Sequence, residues 1–252
     1  MNSTKAIMLV LDTSQSMKAQ DFQPKDRFNG ARKVALDFIA GNKQAQIGLV
    51  VFAKDAFTCR PLTLDHQNLI KLINTLNIGI AGEETNLETA ILTAGNRLKN
   101  IKMRSKSIIL LTDGDHNDQD FAIIKAGQII KKLGIKIYVL GFGSKDGVRI
   151  MINDPKRGLV YAIKSDKTML ISKINERTLK ELAQITGGGY FRAQNEYELL
   201  LGFNKLKNQE INYFKQQQKI QYQNYVSIFV GLALILFVLE IILNYIIFIR
   251  VP

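Results

Sequence analysis

Apolar runs of five to seven residues alternate with segments whose apolar residues recur three and four apart. Ile7–Leu11, Gln46–Phe52, Ser107–Thr112 and Ile135–Leu140 are the runs. A strand covered on both faces needs apolar residues on both sides, so such runs predict the inner strands of a parallel sheet. Between them, Ala31, Val34, Ala35, Phe38 and Ile39 fall at helical spacing, as do Leu69, Leu72, Ile73 and Leu76, then Leu87, Ala90, Ile91 and Ala94. Phe121–Leu133 and Thr178–Thr186 continue the series. The alternation predicts an α/β fold, a Rossmann-like, doubly wound, mostly parallel sheet flanked by helices. Ala56–Cys59 precedes Pro61, which suits an edge strand. Lys145–Ser172 reads as a hairpin-like insertion with short strands at Val160–Ile163 and Met169–Ile171, and Tyr190–Arg192 as the last strand.

The pattern changes after Ala193. From Asn195 to Tyr225 it is helical and rich in Gln and Lys, as expected of a stalk. Val226–Ile249 is then apolar for about 24 residues, broken only by Ser227, Glu240 and Asn244. A helix of roughly 20 such residues spans a bilayer. The expected organisation is therefore a domain over residues 1–193, a juxtamembrane stalk over 194–225 and a transmembrane helix over 226–249. Lys205, Lys207, Lys215 and Lys219 precede this span and only Arg250 follows it, so the positive-inside rule puts the domain in the cytoplasm. The first apolar run is too short for a signal peptide and ends in Asp12.

The chain has 252 residues, ample for a hydrophobic core, and a formal net charge of +12. Such a charge invites a nucleic-acid reading. The basic residues argue against it, being scattered through Lys99, Lys102, Arg104, Lys106, Lys125, Lys131, Lys132 and Lys136 with no aromatic or Gly-rich binding motif. Attraction to an anionic leaflet is the milder explanation. The single Cys59 excludes an intrachain disulfide framework and a cysteine metal site.

Chemistry concentrates where the first run ends. Asp12, Ser14 and Ser16 alternate after Leu11, so a tight loop at the strand's carboxyl end turns all three inward, where open α/β sheets bind ligands. Hydroxyl and carboxylate oxygens without Cys or His suit a hard cation, Mg²⁺ or Mn²⁺. One loop cannot fill six positions, and Thr85 and Asp113 are the further candidates; Asp113 also ends an apolar run. Thr85 has an alternative role as the N-cap of the helix it precedes. The acidic loop Asp113–Asp120 half resembles an EF-hand but has Asp118 for the required Gly and Ile124 for the terminal Glu. His116 reads as a solvated loop residue. Gly141-Phe142-Gly143 opens no helix and the third glycine is misplaced, which argues against a dinucleotide fingerprint. A strand-end Asp beside Mg²⁺ also describes haloacid-dehalogenase-type phosphohydrolases. Those place an acid two residues later, where this chain has Ser14, which has no carboxyl proton to donate.

Asp12-Thr13-Ser14-Gln15-Ser16, the distant Thr85 and the distant Asp113 together resemble the metal-ion-dependent adhesion site of the von Willebrand factor A domains. The resemblance is closer to bacterial membrane-anchored proteins of the aerotolerance (Bat) type, with Gly48–Ala53, Pro61–Asp65 and Leu182–Phe191 in support. It implies that Ser14, Ser16 and Thr85 touch the cation while Asp12 and Asp113 act mainly through water. Mg²⁺ is the expected ion, with Mn²⁺ or Ca²⁺ as alternatives, and an open position takes an acidic residue of a partner protein. The missing acid at position 14, with no Walker A loop and no His for a Ser-His-Asp triad, leads to the expectation of no enzymatic activity, and the apolar span places the protein at the bacterial inner membrane. The resemblance further implies association with MoxR-type AAA+ ATPases and other membrane-anchored proteins of the family. Glycines commonly precede the Thr in that family, whereas Glu83 and Glu84 do so here; their charge is expected to strengthen cation binding and repel an acidic ligand.

Overall fold

The structure, a computed structural model, describes residues 5–22, 26–103, 105–116, 119–144, 146–154, 158–162, 169, 171–193, 198, 202 and 228–243. The chain divides into two compact units, Met1–Lys207 and Asn208–Pro252.

The first unit is built on a six-stranded sheet. In chain order it has β1 (Lys5–Asp12), α1 (Arg27–Gly41), β2 (Gln46–Phe52), β3 (Ala56–Thr63), α2 (His66–Thr75), α3 (Leu87–Leu98), β4 (Ser105–Thr112), α4 (Asp120–Lys132) and β5 (Lys136–Phe142). The short strands β6 (Val148–Arg149), β7 (Met151–Asp154), β8 (Gly158–Tyr161) and β9 (Ile171–Ser172) follow, then α5 (Glu176–Thr186) and β10 (Tyr190–Ala193). The sheet order is β10-β5-β4-β1-β2-β3. All its pairings are parallel except that of β3, which runs antiparallel to β2 as the edge strand.

Alternate residues of β1 explain why it had to be apolar throughout. Ile7, Leu9 and Leu11 join one core with Ala31, Val34 and Phe38 of α1 and with Leu69 and Ile73 of α2. Ala6, Met8 and Val10 join the opposite core with Leu87 and Ile91 of α3, Ile130 of α4 and Leu182 of α5. Close packing on that second side depends on Gly95, where a Cβ would stand 2.1 Å from Ile130 Cδ1. The chain leaves β1 towards β2 on one side and returns to β4 on the other, so the crevice above β1 and β4 is the topological switch point.

The insertion after β5 is hairpin-like, as expected, but its strands differ. β7 pairs with β8 and β6 with β9, both antiparallel. Two-residue strands such as β6 and β9 are too short to show a period of two.

In the second unit, residues 228–243 are helical and their apolar side chains are largely exposed. The transmembrane helix expected over 226–249 is not found among the described residues. Among the described residues no helix is long and apolar enough to cross a membrane. Sixteen helical residues, 228–243, rise only about 24 Å, short of a hydrocarbon core of about 30 Å. The remaining positions of that stretch, and most of the stalk expected over 194–225, lie outside the described residues.

Candidate metal site

At the carboxyl end of β1 the backbone leaves the sheet in a turn built by its own side chains. Asp12 Oδ1 accepts the Ser14 N–H at 2.9 Å, and residues 15–18 then form one 3-10 turn. Both the N–H and the hydroxyl of Thr13 donate to the Phe52 carbonyl, which ties the turn to the end of β2. The result holds the Ser14 and Ser16 hydroxyl oxygens 3.0 Å apart. Asp12, Thr13 and Ser14 are at most 1% exposed and Ser16 is 8% exposed.

The neighbouring strand delivers the second acid. Thr112, the last residue of β4, donates its hydroxyl to Asp12 Oδ2 at 2.5 Å and accepts the Gly114 N–H at 3.0 Å. Gly114 has φ +68°, and a Cβ there would lie 2.7 Å from Leu179 Cδ1, so the turn after Asp113 requires glycine. Asp12 and Asp113 are fully buried and close enough for their charges to interact. Burial and then the Asp113 charge push the Asp12 carboxyl up to about 7, against the pull of hydrogen bonds from Ser14 and Thr112. Among the described residues no cationic side chain pairs with Asp12.

Asp113 is compensated differently. Arg27, at the start of α1 and fully buried, donates through Nη1 to Asp113 Oδ2 at 2.9 Å and to Ser172 Oγ at 2.6 Å. Its Nε and Nη2 form a two-point pair with Asp21, each at 2.7 Å. Burial pushes the Asp21 carboxyl up, but the Arg27 hydrogen bonds and charge outweigh it and hold Asp21 below the usual range. Asp21 Oδ2 also accepts the Ser144 N–H at 3.0 Å. One buried guanidinium thus joins the loop after β1, the loops after β4 and β5, and the far end of the insertion. The apolar pattern of this helix, Ala31 to Ile39, does not include Arg27. A usable signal existed, because a cation in the first turn of a helix opposes the macrodipole and needs a local anion.

Thr85 is 4% exposed, in the loop that leads into α3. The next residue, Asn86, donates its N–H to the Ala53 carbonyl at 2.7 Å, and Gly79 donates to the Thr13 carbonyl at 2.7 Å. The loop therefore hangs on the same sheet edge as the Asp12 turn. The N-cap of α3 is Asn86, whose side chain accepts from Thr89 N at 2.9 Å, so the capping role considered for Thr85 belongs to its neighbour. Glu83 and Glu84 are exposed, and Glu84 faces Lys54 at 3.8 Å across solvent. Their charge is screened by water, which weakens the effect expected of them.

His116 is not solvated. Its side chain is 5% exposed, with Nε2 3.2 Å from both Asp120 Oδ1 and Asn175 Nδ2. Among the described residues no group of three or more His, Cys, Asp and Glu could hold a metal ion. The candidate set is two carboxylates with three hydroxyls, which suits a hard cation and not zinc. The position two residues after Asp12, where a phosphohydrolase needs its acid, holds the buried hydroxyl of Ser14.

Comparison with known proteins agrees with this architecture. An aerotolerance-related membrane protein of Bacteroides fragilis has a similar structure, with a TM-score of 0.70 and 26% identity over 80% of this chain and 99% of that one. BatB of Bacteroides thetaiotaomicron gives a TM-score of 0.71 and 25% identity over 81% and 99%. By sequence, the chain is 29% identical over 211 residues to a protein of Borreliella burgdorferi, covering 81% of this chain and 59% of the relative. A UPF0353 protein of Mycolicibacterium paratuberculosis is 28% identical over 220 residues, covering 82% and 61%. The chain thus spans about three fifths of the length of these relatives. Residues 6–199 match the von Willebrand factor type A domain, and the chain belongs to that family.

Proposed function

We propose that this chain is a metal-dependent protein-interaction module held at a bacterial inner membrane. Asp12, Ser14, Ser16, Thr85 and Asp113 would hold a Mg²⁺-type ion, whose remaining coordination position accepts a carboxylate from a partner protein. One observation carries the reading. Two fully buried carboxylates, one ending β1 and one just after β4, stand at the switch point beside two hydroxyls 3.0 Å apart, and among the described residues Asp12 has no cationic partner. A buried charge without compensation is costly, and a divalent ion supplies what the fold leaves out. Around the ion, Arg27 and Thr112 orient the two acids, while the Asp12 turn keeps both Ser hydroxyls on one side.

The apolar stretch 226–249 supports membrane anchoring by its length and composition, with the domain on the cytoplasmic side. The Bacteroides proteins of similar fold bear the names aerotolerance-related membrane protein and BatB. We extend that setting to this chain, with a MoxR-type AAA+ ATPase and other membrane-anchored proteins of the family as partners in envelope or stress maintenance. Ser14 at the acid position favours binding over phosphoester hydrolysis.

Calorimetric titration of the EDTA-treated chain with Mg²⁺ tests the metal, and pull-down from solubilised membranes with and without EDTA tests the partner. Ser14→Ala and Asp113→Ala are expected to abolish both signals. Partner capture that is equal in Mg²⁺, in EDTA and in both variants would sink the proposal. Turnover of a phosphoester panel that disappears in Asp12→Asn would favour the hydrolase instead.

A further inference from the structure

The fold gathers lysines that look scattered in the sequence onto the sheet edge opposite the candidate metal site. Lys106 is the second residue of β4 and Lys136 the first of β5, and the register pairs Lys136 with Ser107 on the adjoining strand. Lys131 and Lys132 end α4, while Lys99 caps α3 and Lys102 follows in the connection to β4. The two helices touch where Gly95 meets Ile130, within about one helical turn of Lys99 and Lys131. Lys99, Lys102, Lys131 and Lys132 are exposed, and neither 99–106 nor 131–136 contains an acidic residue. At the other edge the same helices open with Glu88 and Asp120 in their first turns. The lysine edge carries Asp65 at its far corner, where it faces Arg60 at 3.7 Å.

Complementing the helix dipoles accounts for Lys99 at the C-cap of α3 and for Lys131 and Lys132 in the last turn of α4. It does not account for Lys102, Lys106 and Lys136, nor for what lies beside them. A groove of about 550 Å³ between α3 and α4 is lined by Leu92, Ile129 and Leu133 and reaches Lys99. Ile129 is 42% exposed, and Ile101 and Met103 alternate with the basic residues of the connection. Aliphatic side chains among flexible ammonium groups match a bilayer surface, where lysine stems lie along apolar material and their heads reach phosphates. Single-stranded nucleic acid needs aromatic platforms for its bases, and neither basic segment contains an aromatic residue.

We propose that this edge of the domain, Lys99, Lys102, Lys106, Lys131, Lys132 and Lys136 around the α3–α4 groove, docks on the phosphate headgroups of an anionic bilayer. It rests on the membrane placement proposed above and gives that placement an orientation, with the Asp12 crevice facing away from the lipid.

The test is lysine acetylation, read by mass spectrometry, on the full chain in nanodiscs of phosphatidylcholine with and without phosphatidylglycerol. Acetylation of Lys99, Lys102, Lys131 and Lys132 is expected to slow about threefold or more in the anionic discs and to recover as salt rises from roughly 0.1 to 0.5 M. Lys54, exposed at the opposite edge, is expected to react equally in both. Equal rates at the four lysines in both discs overturn the proposal. So does stronger protection by a duplex oligonucleotide in zwitterionic discs than by anionic lipid. A chain that does not enter the discs refutes the anchor alone. Flotation of that chain with phosphatidylglycerol vesicles then reads the lysine edge, with co-flotation expected and its persistence in the Lys99/Lys102/Lys131/Lys132→Gln variant overturning the assignment.

Discussion

Arg27→Met removes the guanidinium while keeping an unbranched side chain in its place. The parent arginine serves Asp21 at two points, Asp113 at 2.9 Å and Ser172 at 2.6 Å. Without it, Asp113 keeps the Asp115 N–H at 3.1 Å, and Asp21 keeps the Ser144 N–H at 3.0 Å. Breaking a buried pair by removing one partner costs about 3–5 kcal/mol, because the other charge stays behind. The Asp113 side chain is 0% exposed and that of Asp21 9% exposed, so the upper half of that range applies. For a domain of this size each kcal/mol shifts Tm by roughly 2–4 °C, so melting in EDTA is expected to fall by about 10 °C or more. Arg27→Met with Asp113→Asn removes one stranded charge and should recover about 2 kcal/mol relative to additivity. Saturating Mg²⁺ should raise the Tm of Arg27→Met more than that of the parent, since a cation beside Asp113 replaces part of the missing charge. Urea denaturation of the four chains in EDTA and in Mg²⁺ measures every term. A loss under about 1 kcal/mol, or strict additivity with Asp113→Asn, would refute the view that Arg27 compensates the buried acids.

Asp12→Asn probes the other carboxylate. Because the folded value is raised from 3.8 to about 7, the charge destabilises the fold fully above pH 7, and the penalty fades as pH falls towards 4. In EDTA the Asn variant is therefore expected to exceed the parent in stability at pH 7.5, with the gap narrowing to less than half by pH 5 and closing towards pH 4; a constant gap in urea titrations contradicts this. Thr112→Val strands Asp12 Oδ2 and the Gly114 N–H together, a loss of about 3 kcal/mol by chemical denaturation, and no loss would mean those bonds are not formed. Gly188→Ala drives a Cβ to 1.9 Å from the Ile137 carbonyl oxygen and should prevent soluble expression, whereas Gly134→Ala, at φ +66° in open space, should cost only about 1–2 kcal/mol in melting experiments. Equal behaviour of the two variants would contradict the packing at Gly188.

The inner strands were legible because burial on both faces leaves no choice of residue type. β2 coincides with the apolar run Gln46–Phe52, the runs of β1 and β4 fall two or three residues short of their strands, and that of β5 starts one residue early and ends two short. His116 was not legible, and the macrodipole conflict at Arg27 calls for an anion without naming it, because the burial of both depends on groups that only the fold supplies. Arg27 becomes a core residue through Asp113, 86 positions away, and His116 through Asn175.

The candidate site and the lysine edge follow from one topological fact. In a parallel sheet every strand begins at one edge and ends at the other, and each helix carries the chain back. Residues at or just after strand ends, such as Asp12 and Asp113, therefore meet across a hundred positions, as the Thr112 hydroxyl on Asp12 demonstrates. Residues just before strands, in 99–106 and 131–136, meet at the other edge by the same rule. A linear charge count sees neither group, since the acids are sparse and the lysines are spread over one βα unit. Sorting charges by their place relative to strand ends recovers both, and turns a net charge of +12 into a domain with an acid-bearing crevice and a basic edge at opposite ends. A chain so polarised has a preferred orientation in any field of fixed sign, and an anionic membrane is such a field.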